Sequence, residues 1–254
     1  MRNEMKSAVA KSEGGRYLSI IIPAYNEGER IKKTLFNVKD YLYAQDFDFE
    51  VLIINDGSTD GSENEIKTMI KNWPKFLFFS YQKNQGKGAA IKYGVEKAMG
   101  KYILFMDADE STPISQFEQF KPFVSHYPII IGSRYLKKGY IKIKQPIWRI
   151  LFARFSNFLI RKILKINYVD TQCGFKLFEA GAARKIFSKM TLSRFGFDFE
   201  ILKIAQILGL PVKEVPVFWY NERRSKVKFA DFIKTFSDLF KVRKNVKEGK
   251  YHLA

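Results

Sequence analysis

Asp107-Ala108-Asp109 closes the apolar run Tyr102-Ile-Leu-Phe-Met106, and chemistry is more concentrated there than anywhere else in the 254 residues. Side chains two apart on a strand point the same way. The spacing therefore predicts two carboxylates on one face, where a buried strand runs out into solvent. Such a pair suits a divalent cation, Mg²⁺ or Mn²⁺, that keeps its other positions for water and substrate phosphates. A lone Asp-x-Asp is more often a helix cap, but this one has company. Leu18-Ser-Ile-Ile-Ile-Pro-Ala-Tyr-Asn-Glu27 and Glu50-Val-Leu-Ile-Ile-Asn-Asp-Gly-Ser-Thr-Asp-Gly61 are also apolar strands that end in polar loops. Asn84-Gln-Gly-Lys-Gly-Ala-Ala90 leads into a helix.

In an open α/β sheet, ligands bind beyond the carboxyl ends of the strands, which brings these four loops to one edge. Asp56 is placed to accept hydrogen bonds from a base edge or a ribose. Gly86 and Gly88 let the backbone approach a ligand closely, and Lys87 adds a cation at a helix N-terminus that already favours anions. Together they describe a pocket for a nucleoside diphosphate with a metal. Gln85-Gly-Lys-Gly88 lacks the Gly-x4-Gly-Lys-Ser/Thr spacing of a P-loop. No Gly-x-Gly-x-x-Gly follows the first strand, so a dinucleotide is not expected.

The elements that carry these loops alternate. Strands are predicted near 18–22, 51–55, 77–81, 103–107 and 129–132, with helices near 28–44, 60–73 and 88–99. Further strands are expected over 175–178 and 212–219 and a helix over 197–208. That order predicts an α/β sandwich with a mainly parallel central sheet covered on both faces.

Ile22-Pro-Ala-Tyr-Asn-Glu27, Asn55-Asp-Gly-Ser-Thr-Asp-Gly61, Asn84-Gln-Gly-Lys-Gly88 and Asp107-Ala-Asp109 occur in an order and spacing that resemble the inverting family 2 nucleotide-sugar glycosyltransferases. Downstream, Gly132-Ser-Arg134, Asp170-Thr-Gln-Cys-Gly-Phe-Lys-Leu-Phe178, Phe197-Asp-Phe-Glu200 and Ser225-Lys-Val227 look like the dolichyl-phosphate β-glucosyltransferases and their polyprenyl-phosphate relatives, which are similar to dolichol-phosphate mannose synthases. The resemblance runs from about Leu18 to Val227. It implies a GT-A type fold and transfer of a hexose, with inversion, from a nucleotide sugar, UDP-glucose or alternatively GDP-mannose, to a polyprenyl or dolichyl phosphate. It assigns Pro23, Tyr25, Glu27, Asp56, Lys87, Asp107 and Ala108 to the nucleotide sugar, and Asp107 and Asp109 to the metal. Asp109, Asp198 and Arg134 become the catalytic candidates. Asp198 lies near the reacting sugar, to orient a hydroxyl or act as a weak base, or else it is a helix N-terminal carboxylate favoured by the dipole. Mannose synthases of this type resemble Asp-x-Asp-x-Gln, whereas this chain continues Glu110-Ser111, which leaves any third metal ligand open between those two. Arg134 is the first candidate for the acceptor phosphate, with Arg149 and Arg154 next. Arg223, Arg224 and Lys226 read as a basic loop able to close over the diphosphate. Asp170 and Lys176 receive no separate step.

Composition sets outer bounds. Residues 1–128 carry 17 Lys and Arg against 17 Asp and Glu, while residues 129–254 carry 27 against 9, so the net charge of +18 resides in the second half. A neutral nucleotide half joined to a basic half points to an anionic partner there. The single Cys173 excludes a disulfide framework and is compatible with a reducing compartment. His126 and His252 stand outside every motif, so neither a His-based zinc site nor a Ser-His-Asp triad is expected. No uncharged apolar run is long enough to cross a bilayer, and Met1 to Arg16 has no signal-peptide character. The expected organisation is a loosely ordered segment 1–16, a catalytic domain 17–228 and a C-terminal helix and tail 229–254. The expected location is peripheral, on the cytoplasmic face of a membrane.

Two segments are read as lying in that membrane surface. From Pro146 to Ile166, Trp148, Phe152, Phe155, Leu159, Ile163 and Ile166 recur at helical spacing, widened by Leu151, Phe158 and Ile160. Arg154, Asn157, Arg161 and Lys165 form another stripe. A wide apolar face beside Arg and Lys suits an interfacial helix, against the simpler reading of a helix docked on the core. Phe229, Phe232, Ile233, Phe236, Leu239 and Phe240 repeat the pattern before Lys241-Val-Arg-Lys244. A single-stranded nucleic-acid binder is the rival from another class. It is disfavoured because no aromatic–basic RNP string exists, so nucleic acid is not an expected partner. A glycosyltransferase of the same fold with a soluble acceptor is the second rival, and a soluble acceptor does not require an amphipathic basic helix.

Overall fold

The computed structural model describes residues 15–137, 147–220 and 229–252, and the side chains within them except those of Glu29, 147–151 and 229–233. The segment 1–14, the side chains of Trp148, Arg149 and Leu151, the loop with Arg223, Arg224 and Lys226, the Ser225-Lys-Val227 motif and the side chains of Phe229, Phe232 and Ile233 lie outside the described residues.

Seven strands form one sheet: β1 (Leu18–Ala24), β2 (Phe49–Asn55), β3 (Phe76–Ser80), β4 (Tyr102–Phe105), β5 (Ile129–Ser133), β6 (Lys176–Glu179) and β7 (Val212–Pro216). Their order is β3-β2-β1-β4-β6-β5-β7. The pairings β1 with β2, β1 with β4, β2 with β3 and β5 with β7 are parallel, and β6 runs antiparallel between β4 and β5. β1 and β2 are buried along nearly their whole length and mostly apolar without alternation because both sheet faces are covered. The pleat divides their side chains between two cores. Ile20, Ile22, Val51 and Ile53 meet helices α1 (Gly28–Tyr43) and α2 (Ser62–Ile70) and the 3₁₀ segment Ile114–Gln119. Ile21, Leu52 and Ile54 face the layer built from α3 (Lys87–Lys97), α4 (Ile147–Leu164), α5 (Ala180–Lys189), α6 (Phe197–Ile207) and α7 (Phe229–Lys247). The α/β sandwich with a mainly parallel sheet is thus the architecture expected from the sequence.

The differences from expectation are local. β4 stops at Phe105, and Asp107 to Glu110 form a turn closed by Glu110 N–H donating to Asp107 C=O (3.3 Å). The two aspartates therefore meet through a turn, not through strand alternation. α5 and the 3₁₀ segments Ile114–Gln119 and Lys121–Phe123 had no counterpart in the sequence reading. Arg16 is tied to Glu50 (2.9 Å), and its carbonyl accepts from Lys101 N–H (2.9 Å).

The two amphipathic segments are helices, but both also dock on the core. In α4 the buried side is Ser156, Asn157, Ile160 and Leu164, while Arg154, Phe155, Phe158 and Lys162 are exposed. Asn157, placed on a polar stripe by spacing alone, is buried. Its side chain donates to Val169 C=O and accepts from Thr171 N–H (3.2 Å) and Oγ1 (2.7 Å). α7 packs against α4, burying Leu239 and Val242 and leaving Phe240 exposed.

Candidate active site

The loops after β1, β2 and β4 and the start of α3 converge at one edge of the sheet, as the carboxyl-end rule requires. The first two are laced together: Asn26 N–H donates to Ser58 Oγ (2.9 Å), and Thr59 N–H donates to Asn26 Oδ1 (2.8 Å). Pro23 lies in β1 opposite Ile54, Tyr25 is exposed at the loop, and Glu27 stands just before α1 and pairs with Arg30 (2.6 Å). Ala108 is buried, and its carbonyl accepts from Thr34 Oγ1 (2.7 Å), fixing the turn that holds the aspartates against α1.

Both oxygens of Asp56 accept hydrogen bonds from the loop that opens α3. One accepts from Gln85 N–H (2.7 Å); the other accepts from Gly86 N–H (2.8 Å) and Asn84 Nδ2 (2.8 Å). Burial pushes its carboxyl above the usual range against these donors. Asp56, 3% exposed, braces the Asn84–Lys87 loop through these three donors.

Lys87 is the first residue of α3 and forms an ion pair with Asp107. Burial alone would lower its pKa, but Asp107, Asp198 and Asp109 together outweigh it and raise the value, holding the ammonium charged. Asp109 is in the opposite position. Burial first, and the charge of Asp107 second, push its carboxyl up despite Ser111 N–H donating to Oδ1 (3.0 Å). A cation bridging Asp107 and Asp109 would relieve both causes, so the donor set fits a divalent metal. Glu110 turns away, its carboxylate accepting from Asn37 Nδ2 (2.6 Å), so of the two open candidates only Ser111 faces Asp109. Among the described residues no cluster of three or more His, Cys, Asp or Glu could hold a metal without help. Two carboxylates with the remaining positions left to phosphate oxygens and water match Mg²⁺-type coordination.

The segment from Asp170 to Lys176 forms the floor of the site, and sequence reasoning had left its residues without roles. A Cβ on Gly174 would lie 2.1 Å from Asp107 Oδ2, so only glycine lets this backbone pass beneath the carboxylate. Lys176, fully buried, donates to Asp198 and to the Cys173 carbonyl (2.5 Å). Asp198 thus belongs to an ion pair at the first turn of α6, and Glu200 points elsewhere, as spacing i, i+2 on a helix requires. Asp170 is 1% exposed and grips Arg134 through Nε (2.7 Å) and Nη2 (2.8 Å). Burial would raise the Asp170 carboxyl, but the charge and hydrogen bonds of Arg134 hold it below the usual range. Arg134, the first candidate for the acceptor phosphate, is therefore charge-balanced by Asp170. Arg154 is exposed, and among the described residues no carboxylate pairs with it; its guanidinium lies 5.9 Å from the Tyr135 ring, which Arg134 approaches to 5.3 Å. Burial pushes the Cys173 thiol up to about 12, so it stays protonated and is no nucleophile.

Residues 19–187 match the model of the family described as "Glycosyl transferase family 2", about two thirds of the chain. The chain belongs to glycosyl transferase family 2. Within that family it is 34% identical over 241 residues to a dolichyl-phosphate beta-glucosyltransferase of Trichomonas vaginalis, covering 89% of this chain and 72% of the relative. It is 31% identical over 254 residues to the Homo sapiens dolichyl-phosphate beta-glucosyltransferase, covering 94% and 78%. The Saccharomyces cerevisiae protein of that name is 32% identical over 249 residues, covering 89% and 74%. Among solved structures, glucosyl-3-phosphoglycerate synthase from Mycobacterium tuberculosis, crystallised with Mn²⁺, UDP and glucosyl-3-phosphoglycerate, superposes with TM-score 0.66 at 14% identity, over 91% of this chain and 81% of that one. Mannosyl-3-phosphoglycerate synthase from Rubrobacter xylanophilus gives 0.67 at 15%, over 92% and 75%. At these identities the two structures establish the GT-A fold alone. The chain is a glycosyltransferase, and the family match covers the four converging loops and the Asp170–Lys176 floor.

Proposed function

We propose that this glycosyltransferase moves glucose from UDP-glucose to dolichyl or another polyprenyl phosphate, with inversion, in a reaction that uses Mg²⁺ or Mn²⁺. The observation that carries the reading is the charge set around Lys87, half-buried at Lys87, Asp107 and Asp109 and buried at Lys176 and Asp198. Two lysines and three carboxylates lie within one neighbourhood, and one of those carboxylates, Asp109, is pushed up by burial and by the charge of Asp107. The names of the relatives support the glucosyl donor and the lipid-phosphate acceptor.

The acceptor is already an anion, so its phosphate oxygen can attack the sugar's anomeric carbon without a strong general base. A bond forms from that oxygen to the carbon as the bond from the carbon to the diphosphate oxygen breaks on the opposite face. The burden falls on the leaving diphosphate, whose growing charge needs fixed positive partners. When bound, the metal supplies Lewis-acid stabilisation of that charge. Asp107 and Asp109 would hold it. Lys87 lies beside them at the N-terminus of α3, where the helix dipole also favours an anion. Lys176 holds the Asp198 carboxylate in place on the sugar side, a positioning task rather than proton abstraction. On the acceptor side, Asp170 fixes the Arg134 plane, leaving the Nη1 edge and the exposed Arg154 for the lipid phosphate.

The lipid must be met at a membrane. Among the described residues no helix is long and apolar enough to cross one. Phe155 and Phe158 are about half exposed on α4, beside Arg154 and Lys162, and Phe240 is exposed on α7 beside Arg243, Lys244 and Lys247. Exposed Phe flanked by cations suits peripheral contact with an anionic surface.

A donor panel of UDP-glucose, UDP-galactose, UDP-N-acetylglucosamine and GDP-mannose, each with a short polyprenyl phosphate and metal, tests the reading by product mass. Glucosyl-phospho-lipid formed from UDP-glucose and lost with a chelator is the expected result. Product from GDP-mannose alone would replace the donor. Transfer only to a soluble sugar would overturn the acceptor.

A further inference from the structure

We propose that Glu200 is a positioning residue for the donor loop, acting through a buried polar junction that ties the C-terminal helix to the backbone beneath Gly86 and Lys87. The proposal rests on the reading above that this loop meets the donor diphosphate.

Glu200 is fully buried, and its carboxylate is saturated by donors from two directions. Oε1 accepts from Thr191 N–H (3.0 Å), Thr191 Oγ1 (2.6 Å) and the Tyr251 hydroxyl (2.7 Å), and Oε2 accepts from Leu192 N–H (2.8 Å). Asn245 of α7 closes the junction, donating to Thr191 Oγ1 (3.1 Å) and to the Tyr251 oxygen (3.0 Å). Each hydroxyl thus donates once and accepts once, a closed arrangement of the kind that fixes buried backbone in one position. Glu200, Asn245 and Tyr251 are all buried.

What the junction holds is the support of the donor loop. Directly after Thr191 and Leu192, the Ser193 carbonyl accepts from Ala89 N–H (3.0 Å) in the first turn of α3. Gly86 adopts φ +108°, and a Cβ there would lie 2.5 Å from the Ser193 oxygen and 2.8 Å from Arg194 Cγ. A Cβ on Gly88 would lie 2.9 Å from the Leu192 oxygen and 2.8 Å from Phe197 Cβ. The 191–197 segment therefore presses on the loop at van der Waals contact, and its height sets where Lys87 reaches Asp107. The Phe197-Asp-Phe-Glu200 motif serves two sides of one helix: Asp198 faces the reaction site through Lys176, and Glu200 faces α7.

The test uses Glu200→Gln and Tyr251→Phe in the full chain, with Tyr41→Phe as control, since Tyr41 also donates its hydroxyl to a carboxylate (Glu118) but on the other face of the sheet. Glu200→Gln turns an amide N–H toward Leu192 N–H, and Tyr251→Phe deletes one donor without changing shape. Calorimetry with UDP plus Mg²⁺ should show binding weakened about three- to ten-fold in both, the loss expected for one or two buried hydrogen bonds. Hydrogen exchange at the Gln85, Gly86 and Ala89 amides should quicken in both variants and stay at the wild-type rate in Tyr41→Phe. If Glu200→Gln does not fold, Tyr251→Phe carries both readouts. Lower melting temperatures with unchanged UDP affinity and unchanged loop exchange would reduce the junction to a purely structural role and overturn the proposal. Wild-type protein that fails to bind UDP and Mg²⁺ would instead sink the donor reading, and loop exchange alone would then decide the coupling.

Discussion

Arg134 and Asp170, 36 residues apart in the chain, face each other as a planar pair with Nε and Nη2 of the guanidinium on the two oxygens of one carboxylate. Arg134 N–H also donates to the same carboxylate (3.0 Å), so Asp170 positions both the backbone at the end of β5 and the side chain that leaves it. A pair this buried costs desolvation of both ions, and its value is mostly that breaking it strands a charge.

Removing either partner should therefore destabilise the protein before it alters kinetics. Asp170→Asn and Arg134→Ala should each lose about 3–5 kcal/mol of unfolding free energy, read by urea denaturation. The Asp170 pKa is held below its unfolded value. Its contribution is thus present above the unfolded carboxylate range and disappears as pH falls through the folded value. Asp170→Asn should flatten that acid limb. Arg134→Ala with wild-type stability and a raised KM for lipid phosphate would show that the pair with Asp170 contributes little to folding.

Asp109→Asn should trade function for stability. The raised pKa of Asp109 means that its charged form opposes folding. The folded state then gains relative to the unfolded state below the unfolded pKa and loses that gain as pH rises through the folded value. At neutral pH the substituted protein, without metal, should melt about 1–4 °C higher, and the difference should shrink as pH falls. Binding of UDP in the presence of Mn²⁺ should drop sharply in the same protein. Intact metal-dependent binding would remove Asp109 from the metal site.

Gly174→Ala tests the floor beneath Asp107. The added Cβ would overlap the carboxylate at 2.1 Å, and Asp107 must move. A displacement near 1 Å at a reacting centre costs on the order of a hundred-fold in rate, so kcat/KM should fall steeply while circular dichroism remains that of a folded protein. Activity within two-fold of wild type would show that Asp107 tolerates the shift.

Phe155→Glu probes the exposed side of α4. With the ring 55% exposed, the melting temperature should hardly change. Loss of one inserted phenyl ring and gain of a negative charge should weaken binding to anionic liposomes by about ten-fold or more, and high salt should release the wild-type protein in part. A large fall in stability instead would place Phe155 against protein rather than lipid.

The local patterns of the chain were enough for the layers and the loops. Strand runs such as Leu18–Ala24 and Phe49–Asn55 are mostly apolar on both sides because helices cover both faces, and that condition is written into consecutive residues. The motifs at Asp56, Gly86-Lys87 and Asp107-Ala-Asp109 also announced which loops gather, since the carboxyl-end rule needs only strand direction. Helical spacing likewise identified α4 and α7, but it could not say which face docks. Asn157 looked like part of a polar stripe and is buried, because Val169 and Thr171 come from a different segment to satisfy it.

Who pairs with whom was decided only in three dimensions. Lys87 with Asp107, Lys176 with Asp198, Arg134 with Asp170 and Glu200 with Tyr251 join residues on different elements, at separations that no periodicity links. A buried charge must find a counter-charge or donors wherever the crossing elements bring them, since its desolvation cost is set by the finished packing. Asp56 shows the consequence most clearly. Its place in the motif marked it for the site, and the fold spent both of its oxygens on holding the neighbouring loop.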